Sequence, residues 1–380
     1  MEFSFPTRII FGADTLNQLP ELVTEHGMRH PMIVTDPGLV KAGLINQVTA
    51  ALTNFSVFDC VAPNPTEDNI FDGVRHYIRK GCDGIVGVGG GSSLDAGKII
   101  GLMTTHDRPL ADYDDNTSGD RLIGPNIPPI IAIPTTAGTG SEVGRSGVIT
   151  LKETDRKTVI FSPHLMPSVA LCDPKLTRRL PKHITAATGV DAMTHNIEAY
   201  LAKGFHPVCD GIALHGVALV YRYLPTAVWN GEKDIDARGQ MMIAASMGAT
   251  AFQKGLGATH SLAHPLSTVA GVPHGLANAI LLPHVLRFNA ESVPERLRDI
   301  GIAMGLDIIS QSSQEAASTT IDAIDRFLRN IGIPTHLSET GVDPDILPTL
   351  VSKALEDGCH LLNPRPCTAN DFRLLYEEAM

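Results

Sequence analysis

The residues with the clearest potential for chemistry are an acid and several histidines in the second half of the chain. Asp191 and His195 are four residues apart, so on a helix they project from one face, and His260 and His264 repeat that spacing. His274 follows at the start of the next segment. A carboxylate with two or three imidazoles is typical of a site for a divalent metal, iron(II) or zinc, with a position left for a substrate oxygen. The pattern therefore predicts a catalytic metal site.

Each of these histidines taken alone is better explained as a capped or hydrogen-bonded residue of the core. Two pairs at helical spacing, with Asp191 among apolar neighbours, favour a metal instead, because an unpaired buried carboxylate is costly. His215 and His284 have no partner at ligand spacing, so we interpret them as structural residues of the fold.

A second set of candidates lies in two loops rich in glycine, serine and threonine. Gly87–Lys98 (GVGGGSSLDAGK) follows an apolar strand and opens a helix, so its N–H groups and the helix dipole favour a phosphate. It matches neither the P-loop nor the Rossmann spacing, because Ser92 stands where each requires glycine. A tight turn capped by Ser92 and Ser93 is the alternative without a ligand. The second loop, Ile133–Val143 (IPTTAGTGSEV), also follows an apolar strand, and two such loops favour a nucleotide crevice.

An acidic residue, Asp36, ends the predicted strand Met32–Asp36. A carboxylate there can accept hydrogen bonds from the adenosine ribose of a dinucleotide and repels a 2′-phosphate. An ordinary turn or helix-capping aspartate explains Asp36 equally well. In the usual fingerprint this acid follows the glycine loop, whereas Asp36 precedes it, so a conventional Rossmann order is not expected.

Composition limits the class of protein that can carry these sites. The 380 residues are 43% hydrophobic and 19% charged, which is typical of a folded protein, and the length allows two domains. With 30 basic and 41 acidic residues the net charge is −11, which disfavours binding to nucleic acid. No apolar run reaches the roughly 18 residues that a membrane span needs. Six dispersed cysteines without a C-x-x-C pair, and a start unlike a signal peptide, predict a cytoplasmic protein.

The predicted elements divide the chain into two domains. In residues 1–180, short β-rich runs alternate with longer amphipathic segments, an order typical of a parallel sheet covered by helices. A hairpin of Gly147–Thr150 and Lys157–Phe161 is expected to be added to that sheet. After Pro181, alanine, methionine and leucine recur at helical spacing, so residues 181–380 are predicted to be mostly helical. Helix breaks are expected near Pro225, Pro265, Pro273, Pro283, Pro334 and Pro348.

Six segments, in their order and spacing, resemble the iron-containing (group III) alcohol dehydrogenases. They are GGGSSLDAGK, PTTAGTGSEV, GVDAMTHNIEAY, ATHSLAHPLSTVAGVPHG, NAILLPHVLRFN and NPRP. The resemblance implies an α/β N-terminal dinucleotide-binding domain and an all-helical C-terminal metal-binding domain, the dehydroquinate synthase-like fold, with the active site in the cleft between them. It implies an NAD-linked oxidoreductase that interconverts a primary alcohol and its aldehyde as a homodimer or larger homo-oligomer.

The resemblance also assigns roles to individual residues. Those that would bind the metal, Fe(II) with zinc as a substitute, are Asp191, His195, His260 and His274. His264 would be a non-ligand near the nicotinamide. The residues that would contact NAD are Asp36, Asn64, Gly90, Gly91, Ser92, Thr135, Thr136, Thr139, Val148 and Lys157. Asp36 is the family feature linked to a preference for NAD.

Within the family, AFQKGLG (Ala251–Gly257) and the ending EDGCHLLNPRP look closest to 4-hydroxybutyrate dehydrogenase-like members. Their substrate pair would be 4-hydroxybutyrate and succinic semialdehyde. A general short-chain alcohol or diol dehydrogenase, of the lactaldehyde reductase or 1,3-propanediol dehydrogenase type, is the alternative. More distant alternatives are a zinc glycerol dehydrogenase-like enzyme, a dehydroquinate synthase-like lyase and a catalytically silent nucleotide-binding protein with the same fold.

Two further residues are predicted to handle the substrate. His264 is the candidate for passing the alcohol proton to solvent, because a histidine titrates near neutral pH, and a role in holding its helix is the alternative. A hydroxy acid needs a cation to pair its carboxylate. Arg145, which directly follows the second loop, is the first choice and Arg365 the second. A surface or interdomain ion pair explains Arg145 at least equally well.

Overall fold

The computed structural model describes the chain except for residues 1, 2, 4–6, 154 and 155. The described chain divides into two compact units. The first contains residues 7–136 and Gly140–Arg179, and the second contains Leu180–Met380 together with Phe3 and Ala137–Thr139. The loop predicted at Ile133–Val143 therefore contributes residues to both units.

The first unit is built on a six-stranded sheet in which every neighbouring pair of strands is parallel. The strands of the unit are β1 (Arg8–Phe11), β2 (Pro31–Val34), β3 (Ser56–Phe58), β4 (Gly84–Gly89), β5 (Ile130–Pro134), β6 (Ser146–Leu151), β7 (Arg156–Phe161) and β8 (Val169–Cys172). The helices are α1 (Leu19–Glu25), α2 (Pro37–Lys41), α3 (Ile45–Thr49), α4 (Glu67–Lys80) and α5 (Gly91–Met103). The spatial order is β1-β8-β5-β4-β2-β3. The predicted α/β unit with a parallel sheet is confirmed, and its central strands are buried from end to end, as expected when helices cover both faces.

The hairpin of β6 and β7 differs from the prediction. The two strands pair antiparallel, but they form a separate two-stranded sheet and are not added to the parallel one. Ile149 and Ile160 are buried in the same cluster as Ile99 of α5. A Cβ on Gly147 would lie 2.8 Å from Ile99 Cγ1, so β6 lies directly against α5. Burial of these side chains beneath the hairpin therefore decides where it lies.

The second unit is helical, as predicted. Its helices are α6 (Lys182–Leu201), α7 (Pro207–Asn230), α8 (Ile235–Ala251), α9 (Ala258–Val269), α10 (His274–Asn289), α11 (Pro294–Ala303), α12 (Ser313–Asn330), α13 (Leu347–Glu356) and α14 (Ala369–Ala379). The breaks expected at Pro225, Pro265 and Pro283 are wrong, because these prolines lie inside α7, α9 and α10. An internal proline costs about 3 kcal/mol. A fully buried aliphatic side chain contributes about 1.5–3 kcal/mol, so two of them near each proline offset that cost or exceed it. These pairs are Val220 and Leu224 in α7, Leu262 and Leu266 in α9, and Leu281 and Leu282 in α10.

Among the described residues, no helix is both long and apolar enough to cross a membrane. The six cysteines are free thiols. Cys82, Cys172 and Cys209 are buried, whereas Cys60 is exposed.

Helix α6 carries the first predicted pair of metal ligands, and close packing fixes its position. A Cβ on Gly216 of α7 would lie 2.0 Å from Oδ1 of Asn196, and one on Gly248 of α8 would lie 2.8 Å from its Nδ2. Nδ2 of Asn196 also donates to the carbonyl oxygen of Ala244 at 3.0 Å. Because both residues are glycine, α7 and α8 can pack closely against α6 around the buried side-chain amide of Asn196.

We expect Gly216→Ala to lower the free energy of unfolding by about 1–3 kcal/mol, because the added methyl group overpacks the contact with Asn196. Gly211, in the same helix, is exposed with open space around its Cα, so Gly211→Ala is the matched control and should raise that free energy by about 0.5–1 kcal/mol. Urea denaturation followed by circular dichroism measures both changes. A Gly216→Ala protein as stable as the parent would contradict this packing.

Candidate active site

Three helices bring the predicted metal ligands together. Asp191 and His195 lie one turn apart on α6, His260 lies in the first turn of α9, and His274 is the first residue of α10. The ligand atoms of Asp191, His195 and His260 all lie within 4.8 Å of one another. Nε2 of His274 is 3.4 Å from Oδ1 of Asp191. The four side chains therefore face one another.

Whether these four side chains can hold a cation depends on the protonation of the histidines. Burial lowers the pKa of His195 to about 4, so its ring is neutral at pH 7 and offers a lone pair. Burial also lowers the pKa of His260, but the hydrogen bond and charge of Glu198 outweigh it, so the pKa lies above its usual value. A bound divalent cation displaces the second proton that such a histidine carries.

Glu198, which the sequence analysis did not single out, organises the ligands from one turn beyond His195 on α6. Burial raises the pKa of Glu198, but the hydrogen bonds from His260 and Thr259 outweigh this effect and lower it, so the carboxylate is ionised and accepts. It accepts from Nδ1–H of His260 at 2.7 Å and from the backbone N–H groups of Gly257 and Thr259 at 2.9 and 2.6 Å. Glu198 thus caps α9, whose own cap residue supplies no side-chain bond. The spacing D-x₃-H-x₂-E on one helix face is the signal that points to it.

A second residue that the sequence analysis missed, Asn278, lies among the ligand atoms. Its Nδ2 donates to Oδ1 of Asp191 at 2.7 Å and lies 3.4 and 3.2 Å from Nε2 of His260 and His274. A donor that meets three acceptor atoms marks the point on which their lone pairs converge. One carboxylate oxygen and three imidazole nitrogens converging in a buried site fit a divalent transition metal. The position of Asn278 one turn after His274 is the signal in the sequence.

His264 lies beside these ligands but has a different partner. Its Nδ1 is 2.7 Å from Oδ2 of Asp357, and its ring stacks on that of His274 with centroids 5.2 Å apart. Asp357 also accepts from Oγ of Ser261 at 2.7 Å and from the backbone N–H of Cys359 at 2.9 Å. Burial raises the pKa of Asp357, but the charge and hydrogen bond of His264 hold it well below its usual range. No local spacing reveals this pair, since 93 residues separate its members.

The two predicted nucleotide loops meet in the first unit at the carboxyl ends of β4 and β5. The backbone N–H of Thr135 donates to the carbonyl oxygen of Gly89 at 2.9 Å, and a Cβ on Gly90 would lie 3.4 Å from Oγ1 of Thr136. Gly90 caps α5 without a side chain, so the first N–H groups of that helix have no side-chain acceptor at the cap. This edge of a parallel sheet is where nucleotides bind in α/β proteins.

The sequence predicts that Asp36 ends a strand, but in the structure Asp36 lies beyond that strand. Strand β2 ends at Val34, and Asp36 caps α2 with Oδ1 accepting from the N–H of Leu39 at 3.1 Å. The prediction is wrong because Pro37 fixes a helical φ and begins the helix there. Oδ2 of Asp36 accepts from Oγ of Ser93 at 3.3 Å. The carboxylate therefore lies next to the first turn of α5.

Three other predicted nucleotide contacts lie on different segments. Ser92, which follows Gly91 in the first turn of α5, donates from Oγ to the carbonyl oxygen of Pro63. Asn64 directly follows Pro63 in the chain and is exposed on the loop after β3. Thr139 belongs to the second unit.

Val148 and Lys157 lie on the hairpin, which a buried polar network joins to α5. Nζ of the fully buried Lys98 donates to Oγ of Ser141 at 2.7 Å and lies 3.9 Å from Oδ1 of Asp95. Oδ2 of Asp95 accepts from the N–H of Val148 at 3.1 Å. Burial lowers the pKa of Lys98 to about 8. Burial raises the pKa of Asp95, and the charges of Lys98 and Lys157 oppose that rise.

The two arginines predicted to bind a substrate carboxylate each contact an aromatic ring. The guanidinium carbon of Arg145 lies 5.2 Å from the ring centroid of Phe161. Nη1 of Arg365 donates to the carbonyl oxygen of Phe288 at 2.9 Å, its guanidinium lies 4.1 Å from that ring, and Glu291 is 3.8 Å away. These contacts do not test either assignment, and both remain predictions.

Comparison with known proteins relates both units to one family. The family model described as iron-containing alcohol dehydrogenase matches residues 6–174. A second family model, described as Fe-containing alcohol dehydrogenase family, C-terminal, matches residues 185–380. The 4-hydroxybutyrate dehydrogenase of Cupriavidus necator is 41% identical, and the match covers 97% of each chain. A solved structure of a 1,3-propanediol oxidoreductase has a TM-score of 0.95 at 39% identity over 100% of both chains. The sulfoacetaldehyde reductase from Bifidobacterium kashiwanohense in complex with NAD⁺ has a TM-score of 0.89 at 29% identity, over 100% of this chain and 98% of that one.

We expect His274→Ala to lower the metal content per chain by roughly tenfold or more, because it removes one of four converging ligands. His264→Ala is the matched control, since its Nδ1 is hydrogen-bonded to Asp357, and it should retain the metal. Elemental analysis after dialysis, with circular dichroism to verify folding, measures both. Equal loss of metal in the two variants would show that the assignment of His264 is wrong.

Proposed function

The chain belongs to the iron-containing alcohol dehydrogenase family, and on that premise we propose that it interconverts 4-hydroxybutyrate and succinic semialdehyde with a bound metal and NAD. The observation that carries the proposal is the convergence of one buried carboxylate and three imidazoles from three helices. The similarity to the C. necator enzyme supports the choice of substrate. Interconversion of 1,3-propanediol and its aldehyde is the second candidate, favoured by the similarity to the 1,3-propanediol oxidoreductase structure.

Four residues would hold the metal, which we propose to be Fe(II), with zinc as a substitute: Asp191, His195, His260 and His274. When bound, the cation supplies a Lewis acid that polarises the substrate oxygen and lowers the pKa of the alcohol. Hydrogen bonds within the chain orient these ligands in the absence of the metal. Glu198 accepts the Nδ1 proton of His260, which directs Nε2 towards the other ligands, and the neutral ring of His195 offers a second lone pair.

His264 is proposed to exchange the proton of the alcohol with solvent. The ionised Asp357 accepts its Nδ1 proton, which leaves Nε2 to accept another, and the side chain is 22% exposed. A role confined to holding α9 is the alternative. His264→Ala should keep its metal and lose about 100-fold in kcat if the proton passes through this ring, and an unchanged kcat would favour the alternative.

NAD is the proposed dinucleotide, and we place its pyrophosphate at the start of α5. The uncapped N–H groups there, together with the threonines at the end of β5, suit a phosphate, and the carboxylate of Asp36 lies within reach of that turn. One of the similar structures contains NAD⁺. Asp36 would then accept hydrogen bonds from the ribose and oppose a 2′-phosphate.

A cytoplasmic location and assembly into a homodimer or larger homo-oligomer stay predictions. The six free and dispersed cysteines support the first. The second rests on the family. Small alcohols and aldehydes are the proposed partners, and the net charge of −11 disfavours nucleic acid.

Cofactor choice should depend on the charge at Asp36. We expect the parent to use NAD in preference to NADP, and Asp36→Gly to narrow the difference in kcat/KM between them, because the variant removes like-charge repulsion of the 2′-phosphate. Glycine is tolerated at a helix N-cap with a loss of only a few tenths of a kcal/mol, so the variant should fold. Equal use of both cofactors by the parent would contradict the role of Asp36.

The choice of substrate is tested by comparing a charged and a neutral alcohol. Arg145→Ala should weaken kcat/KM for 4-hydroxybutyrate by about 1.5–3 kcal/mol, the contribution of a charge-assisted hydrogen bond, and leave 1-butanol almost unchanged. Arg365→Ala is measured beside it as the second candidate. A parent enzyme that prefers 1-butanol, or an equal loss for both alcohols in each variant, would contradict a carboxylate pocket. A higher kcat/KM for 1,3-propanediol than for 4-hydroxybutyrate would favour the second candidate function.

A further inference from the structure

A second cluster of metal-binding side chains lies beside the four-residue group. Within the part of the chain that the structure describes, His264, Asp357 and Cys359 each offer one ligand atom, and these atoms lie within 4.8 Å of one another. All three residues are partly exposed, whereas Asp191, His195 and His260 are buried. The proposed reaction uses His264 and Asp357, but it gives the thiol of Cys359 no role.

We propose that His264, Asp357 and Cys359 form a second, exchangeable site for a soft divalent cation such as Zn²⁺. One imidazole nitrogen, one carboxylate oxygen and one sulfur are a ligand set that zinc and cobalt favour, and three protein ligands leave a position for water. The first site contains no sulfur, so the two sites differ in chemistry as well as in exposure.

The backbone around Asp357 is held in place, which limits the cost of assembling the site. Oγ of Ser261 on α9 donates to Oδ1 of Asp357 and in turn accepts the backbone N–H of His360 at 2.9 Å. Nδ1 of His360 lies 2.6 Å from the carbonyl oxygen of Asp357. The turn that carries Asp357 and Cys359 is therefore tied to the helix that carries His264.

The ligand atoms need only a small rearrangement to surround a cation. Zinc–nitrogen and zinc–sulfur bonds of about 2.0–2.3 Å place tetrahedral ligand atoms roughly 3.3–3.8 Å apart. The ligand atoms already lie within 4.8 Å of one another, so the widest pair has to close by at most about 1 Å. Nδ1 of His264 and Oδ2 of Asp357, which are 2.7 Å apart, separate by about 0.6 Å to admit the cation. Rotation of the Cys359 and His264 side chains can supply that movement.

Charge balance also favours a divalent cation. Without one, burial and the charge of Asp357 raise the pKa of Cys359 well above its usual value, so the thiol keeps its proton. On binding, the thiol proton is released to solvent and sulfur bonds the cation. The His264–Asp357 hydrogen bond is replaced by one bond from each residue to the cation, and the ring proton moves to the other nitrogen. The two negative charges of carboxylate and thiolate offset the two positive charges.

Cobalt(II) distinguishes the sites, because only the second can give a thiolate-to-cobalt charge-transfer band. The folded chain is loaded with one equivalent of Co²⁺ and then titrated with a second, while absorbance is recorded and bound cobalt is measured by equilibrium dialysis. The parent should bind two ions per chain and develop the thiolate band with the second. Cys359→Ser should lose the band and weaken the second equivalent at least tenfold, with the visible spectrum of the first site unchanged.

Cys60→Ser is the matched control, because Cys60 is an exposed cysteine outside the cluster. It should keep both the second ion and the thiolate band. A parent that shows no thiolate band with the second equivalent, or a band that survives in Cys359→Ser, overturns the proposal. No substrate or NAD is present, so the result is independent of the proposed reaction, and failure of one does not imply failure of the other.

A consequence that rests on the proposed function is inhibition by excess zinc, since a cation on His264 prevents that ring from carrying a proton. Zinc should inhibit turnover of the parent and of Cys60→Ser at the same concentration, and Cys359→Ser should require at least tenfold more. Equal sensitivity of the three proteins would contradict an inhibitory role for the second site.

Discussion

The buried carboxylate of Glu198 is the interaction on which the candidate site depends. It lies on α6 with Asp191 and His195, and it caps the first turn of α9 while accepting the Nδ1 proton of His260. One ionised side chain therefore fixes the distance between two helices and the tautomer of a ligand. A buried charge is tolerated only when several donors satisfy it, and these donors are the groups that must be positioned for a metal.

In the first unit, backbone atoms rather than a buried carboxylate form the candidate nucleotide site. Parallel strands bring their carboxyl ends to one edge of the sheet, where the start of α5 and the end of β5 present N–H groups and hydroxyls side by side. The buried Lys98 ties α5 to Ser141 and to the hairpin, so the segments around that edge are joined by polar contacts that water cannot reach. A phosphate-binding edge needs such support, because its own residues are small and contribute little packing.

Packing between distant residues explains most of the places where the local sequence patterns were wrong. Prolines at 225, 265 and 283 predict helix ends, yet each lies within a helix whose apolar neighbours are buried. The hairpin of β6 and β7 has the strand pattern of an added sheet edge, but the burial of Ile149 and Ile160 against α5 places it elsewhere. Asp36 ends an apolar run, and Pro37 turns it into a helix cap. For the prolines and the hairpin, burial against distant residues carries more free energy than the local pattern, whereas at Asp36 the competing signal is the adjacent Pro37.

The sequence by itself determined the α/β first half, the helical second half and the acid and histidines at helical spacing, because these features repeat within a few residues. The family followed from the order of six motifs. Only the tertiary structure decided that Asn278 lies among three ligand atoms and that Asp357 and Cys359 lie beside His264. Contacts between residues 93 positions apart leave no period in the sequence, since they depend on how whole helices pack and on which buried polar groups must find partners.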